Sequence, residues 1–466
     1  MSRINTNVSS LIAQKVLGRN NAKLQLALDR LSTGLRINSG KDDPAGLIAS
    51  ENLRRDITAA NKAISNTERA NQLIATADSA LAQISNLLND IRGLVTEAAN
   101  SGVLSPEQIA ANQLQVDSSL EAIDRIATVT TFQGRKLIDG SLDFTVSYTA
   151  GAATVADLQV QQANLGSTGS VAVTVTISAA ATQATATRTV TDPLTDELVF
   201  RVGGLKGSEV FAFNAGATGA QIADAINLVS DSTGVEATYA LGTLTLTSVE
   251  YGSEAFVDVE EINDPSALFQ GSTRVNGTDI AATVNGFTAA GAGNTLTLNT
   301  SSLDLTMTVT DGSSTTVTFD ITGGGAVFQI GPNVVTNQQV RIGIQSVNTG
   351  KLGGSEGRMY ELKTGFSKDL DSDPTAGAAI VDQAITVVTS LRGRFGAFQR
   401  TTLETNIASL QDTVTNLAEA ESSIRDADFA QETANLTKAQ ILVQSGTAVL
   451  QIANQNPQNV LALLQR

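Results

Sequence analysis

The sequence predicts an α+β protein in which both chain ends form a long antiparallel α-helical coiled-coil rod and the middle forms a β-rich outer domain. Near both ends apolar residues recur every three or four positions, which is the helical period. Between these regions they alternate with polar or small residues at every second position, which is the period of a strand. No aromatic residue precedes Phe132, so the first quarter of the chain packs through aliphatic side chains, as coiled-coil seams do.

The first two helices follow from spacing and capping. The first is predicted over residues 8–35, with an apolar seam of Leu17, Leu24, Leu28, Leu31 and Leu35. Asp43 and Pro44 form a typical N-cap and first-turn pair, so a second helix is expected from there to residue 100. Two consecutive three-residue steps near Thr67 form a stammer, which overwinds a supercoil. At 1.5 Å per residue this helix spans about 80 Å and needs a lateral partner.

Three further helices are predicted. Ser105 and Gln108 have the spacing of a capping box, which starts a third helix. Asp373, followed by a proline, caps a helix that carries Leu403, Ile407, Leu410, Val414 and Leu417. Asp428 starts a final helix, which carries Leu436, Val443 and Leu450 and is expected to end at Asn456 and Pro457.

The leucine-rich positions of the two chain ends form a candidate assembly seam. A membrane-surface helix would have a basic polar face, but these helices have mixed polar faces rich in Asn, Gln, Ser and Thr. A coiled coil within one chain would bury the seam in part. Assembly with copies of the chain would bury it fully, because small residues flank the seam and permit close approach, and we favour this interpretation.

The middle of the chain is predicted to be β-rich and strongly acidic. Strands are expected at residues 172–177, 244–247, 305–309 and 340–344, with one short helix at 220–227. Residues 141–375 carry 24 acidic and 9 basic side chains, net −15 of the total −16. Such a field repels nucleic acid and anionic lipid, so neither is expected as a partner. No window approaches the ~18 apolar residues of a membrane span, and residues 1–7 do not resemble a cleaved signal peptide.

The absence of His and Cys excludes most catalytic and metal-binding arrangements. Two D-x-D pairs, Asp371 with Asp373 and Asp426 with Asp428, have calcium-loop spacing without the rest of an EF-hand. Because both precede helical patterns, helix capping is the favoured interpretation, as it is for Asp42 beside Asp43. We therefore expect no enzymatic activity, no metal and no cofactor.

Three segments resemble bacterial flagellins. These are LSTGLRINSGKDDPAGL at residues 31–47, FQGRKLIDG at 132–140, and SGTAVL with ANQNPQNVL at 445–461. Residues 198–259 more weakly resemble the small repeat found in flagellins and hook proteins. A hook-filament junction protein is the alternative, since it has similar termini, but such proteins usually diverge over residues 31–47.

The resemblance implies an organisation and a set of partners. Residues 1–40 and 427–466 would form an inner filament core, residues 41–175 and 355–426 a helical rod with a β-hairpin, and residues 176–354 a variable surface domain. The chain would assemble with itself in the extracellular filament after export through the flagellar type III apparatus. A flagellar export chaperone, hook-associated proteins and cap proteins would be its other partners. The seams of the free subunit have no partners, so the first and last 40 or so residues are expected to order on assembly.

The resemblance also places a receptor-contact region on the second and third helices. Related flagellins are gripped there by the flagellin-sensing Toll-like receptor, and the matching positions here are Leu88, Asp90, Arg92, Leu94 and Gln115. Asp90 stands where those flagellins have a basic residue, and Gln115 replaces an acidic one. The lost charge complementarity predicts weak receptor activation.

Overall fold

A computed structural model describes residues 6–100, 102–166, 169–263, 273–310, 315–354 and 356–464. The chain divides into two compact units. Unit 1 comprises Met1–Arg69, Gln329–Val334 and Thr401–Arg466, and unit 2 comprises Ala70–Phe328 and Val335–Arg400. The finer division into core, rod and surface domains stays a prediction.

Among the described residues, the α-helices lie in the first and last parts of the chain, apart from two short ones in the middle. They are α1 (Val8–Thr33), α2 (Pro44–Ala98), α3 (Pro106–Val129), α4 (Gly219–Asn227), α5 (Ser230–Thr233), α6 (Pro374–Phe398), α7 (Thr405–Arg425) and α8 (Phe429–Leu464). The predicted starts of α3 and α6 are confirmed by their caps. Ser105 and Gln108 exchange both capping-box hydrogen bonds, and the Asp373 carboxylate accepts the backbone N–H of Ala376 at 2.9 Å. Asp43 accepts the N–H of Gly46 at 2.9 Å at the start of α2.

Two helix predictions near the C-terminus are wrong. The helix that starts at Pro374 is interrupted by a π-helical turn, Gln399–Glu404, before α7 begins. Phe395 and Leu403 are both buried and lie eight residues apart. Two turns of a coiled-coil helix take about seven residues, and a π-helical turn accommodates the extra one. The final helix does not end at Pro457 but continues to Leu464. Losing one backbone donor at a proline does not end this helix.

The strands form six sheets among the described residues. The five-stranded sheet has the order β14 (Phe287–Thr288), β13 (Ala281–Val284), β5 (Val171–Ala179), β18 (Val317–Gly324) and β3 (Phe144–Ala150). The six-stranded sheet has the order β15 (Ala290–Ala292), β16 (Thr295–Asn299), β17 (Leu303–Val309), β4 (Val155–Ala163), β20 (Gln339–Ile342) and β19 (Ala326–Gln329). Two smaller sheets are β6 (Gln183–Thr189), β10 (Thr243–Tyr251) and β9 (Val235–Ala240); and β12 (Thr273–Asn276), β11 (Phe256–Asn263), β7 (Leu198–Gly203) and β8 (Ser208–Phe213). The remaining pairs are β1 (Thr131–Phe132) with β2 (Arg135–Lys136), and β21 (Gly353–Gly354) with β22 (Gly357–Arg358).

The predicted strands and the short helix of the middle region are confirmed. The alternating segments lie in β5, β10 and β17, and the fourth overlaps β20, which ends at Ile342. In β17 the odd-numbered residues from Leu303 to Val309 are buried and the even-numbered ones are half-buried. This period of two places one face of the strand on the core and leaves the other partly exposed.

The two units differ in how much core they contain. Unit 2 has a helical core in which α2, α3 and α6 contribute side chains with at most 1% exposure, among them Ile84, Leu88, Ile91, Leu120, Ile123 and Phe395. It also has two β cores, around Phe319 and around Phe200. In unit 1 the described residues form a much smaller cluster of Ala60, Ala63 and Leu410.

Candidate assembly surface

The terminal helices α1 and α8 pack against each other in antiparallel orientation. The Asn7 side-chain amide donates to the carbonyl of Ala453 at 2.8 Å, near the start of α1. At the opposite end of α1, the Arg30 guanidinium contacts the Glu432 carboxylate at 3.0 Å. Residue numbers therefore decrease along α8 in the direction in which they increase along α1. The two terminal helices lie side by side, as the sequence predicts.

Each helix contributes a seam with alternating three- and four-residue steps. On α1 the seam is Ser10, Ala13, Leu17, Asn20, Leu24, Ala27 and Leu31, and on α8 it is Glu432, Leu436, Ala439, Val443, Gly446, Leu450 and Ala453. All of these residues are buried or half-buried. The two seams fit because large residues meet small ones, and a Cβ at Gly446 would lie 3.2 Å from Cδ1 of Leu17.

The predicted seam residues of the terminal helices fall into two groups. Six of them lie in the paired seams: Leu17, Leu24, Leu31, Leu436, Val443 and Leu450. Leu28 does not, because it is 47% exposed and the neighbouring Ala27, at 3%, takes its place. Leu35 lies beyond α1 and forms an isolated β-bridge with Asp426. The small and polar members of the seam, such as Ala13 and Asn20, follow the same three- and four-residue spacing as the leucines.

A second antiparallel pair in unit 1 joins the first part of α2 to α7. Leu410 packs against Ala60 and Ala63, and Val414 packs against the same cluster. Leu403 is fully buried, whereas Ile407 and Leu417 are half-buried.

Polar groups complete this second pair. The Asn406 amide donates to the carbonyl of Ile330 at 2.7 Å and lies 3.5 Å from the hydroxyl of Thr67. The predicted stammer therefore places a fully buried threonine opposite a hydrogen-bonding side chain. Near the other end, Arg425 contacts Glu51 at 3.0 Å.

Both terminal helices expose large apolar side chains outside their seams. On α1 these are Val8, Leu11, Ile12, Val16, Leu26 and Leu28, and on α8 they are Phe429, Ile441, Leu442, Val449 and Ile452, each between 37% and 69% exposed. Part of this surface is a largely apolar groove of about 300 Å³ between the helices. Its lining residues are Ser9, Ile12, Ala13, Val16, Asn20, Leu442, Ser445, Gly446 and Val449. Each helix supplies one wall of the groove.

The candidate receptor-contact residues lie in different environments. Leu88 is fully buried in the helical core of unit 2, so it has no surface to offer a receptor, and its inclusion is wrong. Asp90 and Gln115 are exposed, and Leu94 is half-buried. The Arg92 guanidinium contacts the carboxylate of Asp382 at 2.7 Å, so a neighbouring acid already engages its charge.

Two of the four aspartates considered as calcium ligands, Asp373 and Asp428, accept backbone N–H groups at helix starts. Asp428 accepts the backbone N–H groups of Ala430 and Gln431, as the capping interpretation predicts. Asp42 accepts the N–H of Ser39 and that of Asn38, and these hydrogen bonds lower the pKa of its carboxyl. Within the described part of the chain, no three His, Cys, Asp or Glu side chains are grouped to hold a metal ion. The helices described there include none long and apolar enough to cross a membrane.

The chain matches known families at both ends and in the middle. The bacterial flagellin N-terminal helical region matches residues 4–143, the bacterial flagellin C-terminal helical region matches residues 378–464, and the flagellin hook IN motif matches residues 198–250. The B-type flagellin of Pseudomonas aeruginosa is 30% identical, with 99% of both chains covered. The chain belongs to the flagellin family. It is a structural subunit of the flagellar filament, as its terminal segments predict.

Other flagellins are similarly related. Flagellin B of Helicobacter pylori strain 26695 is 30% identical and the flagellin of Salmonella rubislaw is 29% identical, each with 99% of both chains covered. Among solved structures, flagellar hook associated protein-3 of Legionella pneumophila is 10% identical, with 80% of this chain and 98% of that chain covered. Its TM-score of 0.33 is too low to bear on the function of this flagellin.

Proposed function

We propose that this flagellin polymerises through its paired terminal helices, with residues 1–40 and 427–466 as the inner core of the filament. Residues 41–175 and 355–426 would form the surrounding rod, and residues 176–354 the exposed surface domain. The observation that carries the proposal is the exposed apolar surface of α1 and α8. Ile12 is 59% exposed and Ile452 is 60% exposed. Fully burying one such side chain contributes about 1.5–3 kcal/mol, so covering them with neighbouring copies favours assembly.

The distribution of charge supports the same arrangement. The middle of the chain carries −15 of the total charge of −16, which leaves −1 for the two ends together. Nearly neutral ends can pack closely against copies of themselves. An acidic outer region keeps a dense array of subunits soluble.

Electron microscopy of polymerised protein tests this role. The informative variant is Ile12→Ser with Val449→Ser, which makes both walls of the α1–α8 groove polar without touching either seam. Each contact between neighbouring subunits would lose two apolar side chains. The critical concentration for polymerisation should therefore rise by about tenfold or more. A chain lacking residues 1–40 and 427–466 should form no filaments.

The matched control is Leu241→Asn, which removes an equally large apolar side chain that is fully exposed in unit 2. It should polymerise like the parent. Filaments of normal length and yield from the Ile12→Ser, Val449→Ser variant would contradict the proposed role of this surface.

Export and capping partners follow from the family resemblance. The exposed apolar residues of α8, such as Ile441 and Val449, need cover before assembly, and a flagellar export chaperone would supply it. The subunit would then pass through the type III apparatus and meet hook-associated and cap proteins outside the cell. A binding assay with the export chaperone should show full affinity for the whole chain and none for a chain lacking residues 427–466. Equal binding to both would contradict this role of α8.

Weak activation of the flagellin-sensing Toll-like receptor is the final part of the proposal. The exposed Asp90 and Gln115 lack the charges of related flagellins at those positions. In a reporter assay, Asp90→Arg with Gln115→Glu should raise potency, and Asp90→Asn alone should raise it less. Full potency of the unmodified protein would overturn this part.

A further inference from the structure

We infer that polar contacts, and not the apolar seam, set the register in which α1 and α8 pair, and that this register builds the groove between them. The inference rests on the proposed function, because the groove matters only if a second copy binds there. The residues concerned are Ser10, Asn20, Arg30 and Glu432. They would therefore determine which surface the terminal helices present to a neighbouring subunit.

The apolar seam alone tolerates a slip of one heptad. In the observed register Leu17 faces Gly446, and the regular spacing places Leu24 level with Ala439. If α8 moved by seven residues, Leu17 would instead be level with Ala453 and Leu24 with Gly446. Large residues would still meet small ones in both layers. Size complementarity therefore does not distinguish the two registers.

The polar contacts do distinguish them. The Ser10 hydroxyl lies 2.7 Å from the side-chain oxygen of Asn454, and the Asn20 amide donates to the carbonyl of Leu442 at 3.3 Å. Arg30 contacts Glu432 at 3.0 Å, and the Glu432 side chain is only 9% exposed. A one-heptad slip would separate all of these pairs and carry Glu432 past the end of α1 at Thr33. The lost hydrogen bonds and the lost ion pair disfavour the slipped register.

The ion pair has the features of a specificity element. The Nε of Arg30 is buried and has no hydrogen-bond partner in the described structure, so burial of this guanidinium is not fully compensated. Burying an ion pair is a poor way to gain stability, but a polar residue in a helix seam is a known way to fix register. Backbone hydrogen bonds reinforce the same register just beyond α1, where Ala427 donates to Gly34 at 2.9 Å and Arg36 donates to Arg425 at 2.7 Å.

A shifted register would remove the groove. Its walls come from Ile12 and Val16 on one helix and from Leu442 and Val449 on the other. A slip of seven residues moves one wall along the other by about 10 Å, at 1.5 Å per residue. The apolar side chains would then no longer lie side by side.

Disulfide trapping in assembled filaments tests the inference, because the chain contains no cysteine of its own. Leu17→Cys with Gly446→Cys reports the observed register, since a Cβ at position 446 lies 3.9 Å from Cβ of Leu17. Leu17→Cys with Ala453→Cys reports the slipped register. Each pair is placed in the parent and in a variant that carries Ser10→Ala, Asn20→Ala, Arg30→Met and Glu432→Met. Copolymers of ¹⁴N and ¹⁵N subunits distinguish crosslinks within a subunit from those between subunits.

In the parent, the 17–446 crosslink should exceed the 17–453 crosslink by about tenfold or more, as expected for the loss of one or two hydrogen bonds. In the variant this ratio should fall toward one, and filaments should become short or irregular. If the variant keeps the parent's ratio, the apolar seam or the backbone bridge sets the register and the inference is overturned. If the cysteine-free parent itself forms no filaments, the proposed function fails instead.

Discussion

The helical core of unit 2 and the terminal helix pair of unit 1 use the same heptad spacing but differ in what they bury. In unit 2, large side chains such as Ile84, Leu120 and Ile123 have no exposed surface. In the terminal pair, the most deeply buried residues are mostly small or polar, including Ala13, Asn20 and Ala27, while large ones such as Ile12 stay outside. Equal spacing therefore does not mean equal stability. One region completes its packing within the chain, and the other leaves apolar surface for copies.

The largest expected effect separates the two regions directly. Leu88→Ala should lower the free energy of unfolding of the monomer by about 2–5 kcal/mol, because it leaves a cavity in a fully buried core. Leu17→Ala should change monomer stability far less, because Leu17 is only half-buried against α8. Urea denaturation of the two variants measures both. Equal losses would mean that the terminal pair is already a complete core in the free subunit.

An intermediate effect is expected for the pair formed by α2 and α7. Leu410 is 9% exposed and packs in the small cluster with Ala60 and Ala63. Leu410→Ala should lower the free energy of unfolding by about 2 kcal/mol, the lower end of the range for core leucines. Calorimetry of Leu410→Ala and Leu88→Ala shows which variant loses more free energy of unfolding. A loss larger than that of Leu88→Ala would reverse the comparison between the units.

A smaller effect, of opposite sign, is expected at an exposed leucine in unit 2. Leu241 and Gly242 form the turn between β9 and β10 with φ values of +50° and +79°. A leucine is strained in this left-handed region, whereas Asn is well tolerated, so Leu241→Asn should stabilise the protein by about 1 kcal/mol. A thermal scan shows the gain. A lower melting temperature would mean that the exposed leucine makes a stabilising contact.

The smallest effects concern charges in the β region of unit 2. Burial raises the pKa of Asp304 above its ordinary value of 3.8, and Arg394 offsets this only in part. The ionised carboxylate is thus less favourable in the folded chain, and its cost disappears as the pH falls through the raised pKa. Asp304→Asn should therefore stabilise the protein near pH 7 and have little effect near pH 3. Stabilisation that is the same at both values would exclude titration of Asp304 as the cause.

Asp279 is the opposite case, because its pKa is lowered and not raised in the folded chain. The hydroxyl and N–H of Ser253 and the N–H of Gly293 donate to its carboxylate and lower its pKa. Its contribution to stability is present above the ordinary value of 3.8 and is lost as the pH falls through the lowered pKa. Asp279→Asn should destabilise the protein near pH 7, and the difference should shrink in acid. Denaturation of both variants across this range checks the two signs together.

Much of the fold could be predicted because its signals are local. The caps at Asp43, Ser105 and Asp373 depend on residues within three positions, and the strand β17 depends on strict alternation. The choice between Ala27 and Leu28 could not be predicted, since either position continues a three-and-four spacing. It depends on the partner helix, which approaches the smaller side chain.

The candidate site shows the same limit. Most of the predicted leucines lie in the paired seams of α1 and α8. The polar contacts between the two helices could not be predicted, because residues far apart in the chain form them. Arg30 and Glu432 are separated by 402 positions. The resemblance to flagellins includes Leu88 in a receptor-contact region, but its burial depends on side chains of α3 and α6 in the same helical core. Asn456 and Pro457 form a local breaker signal, but that signal does not determine where α8 ends, since the helix continues to Leu464.

Amide hydrogen exchange on the free subunit and on the filament tests most directly the claim that copies complete the packing of the terminal helices. Amides of α1 and α8 should exchange quickly in the free subunit and become protected by about a hundredfold or more in the filament, while those of α3 should be protected in both. The α3 amides serve as the internal reference. Equal protection of α1 and α8 in the free subunit and in the filament would contradict the claim, because the helices would then be fully packed before assembly.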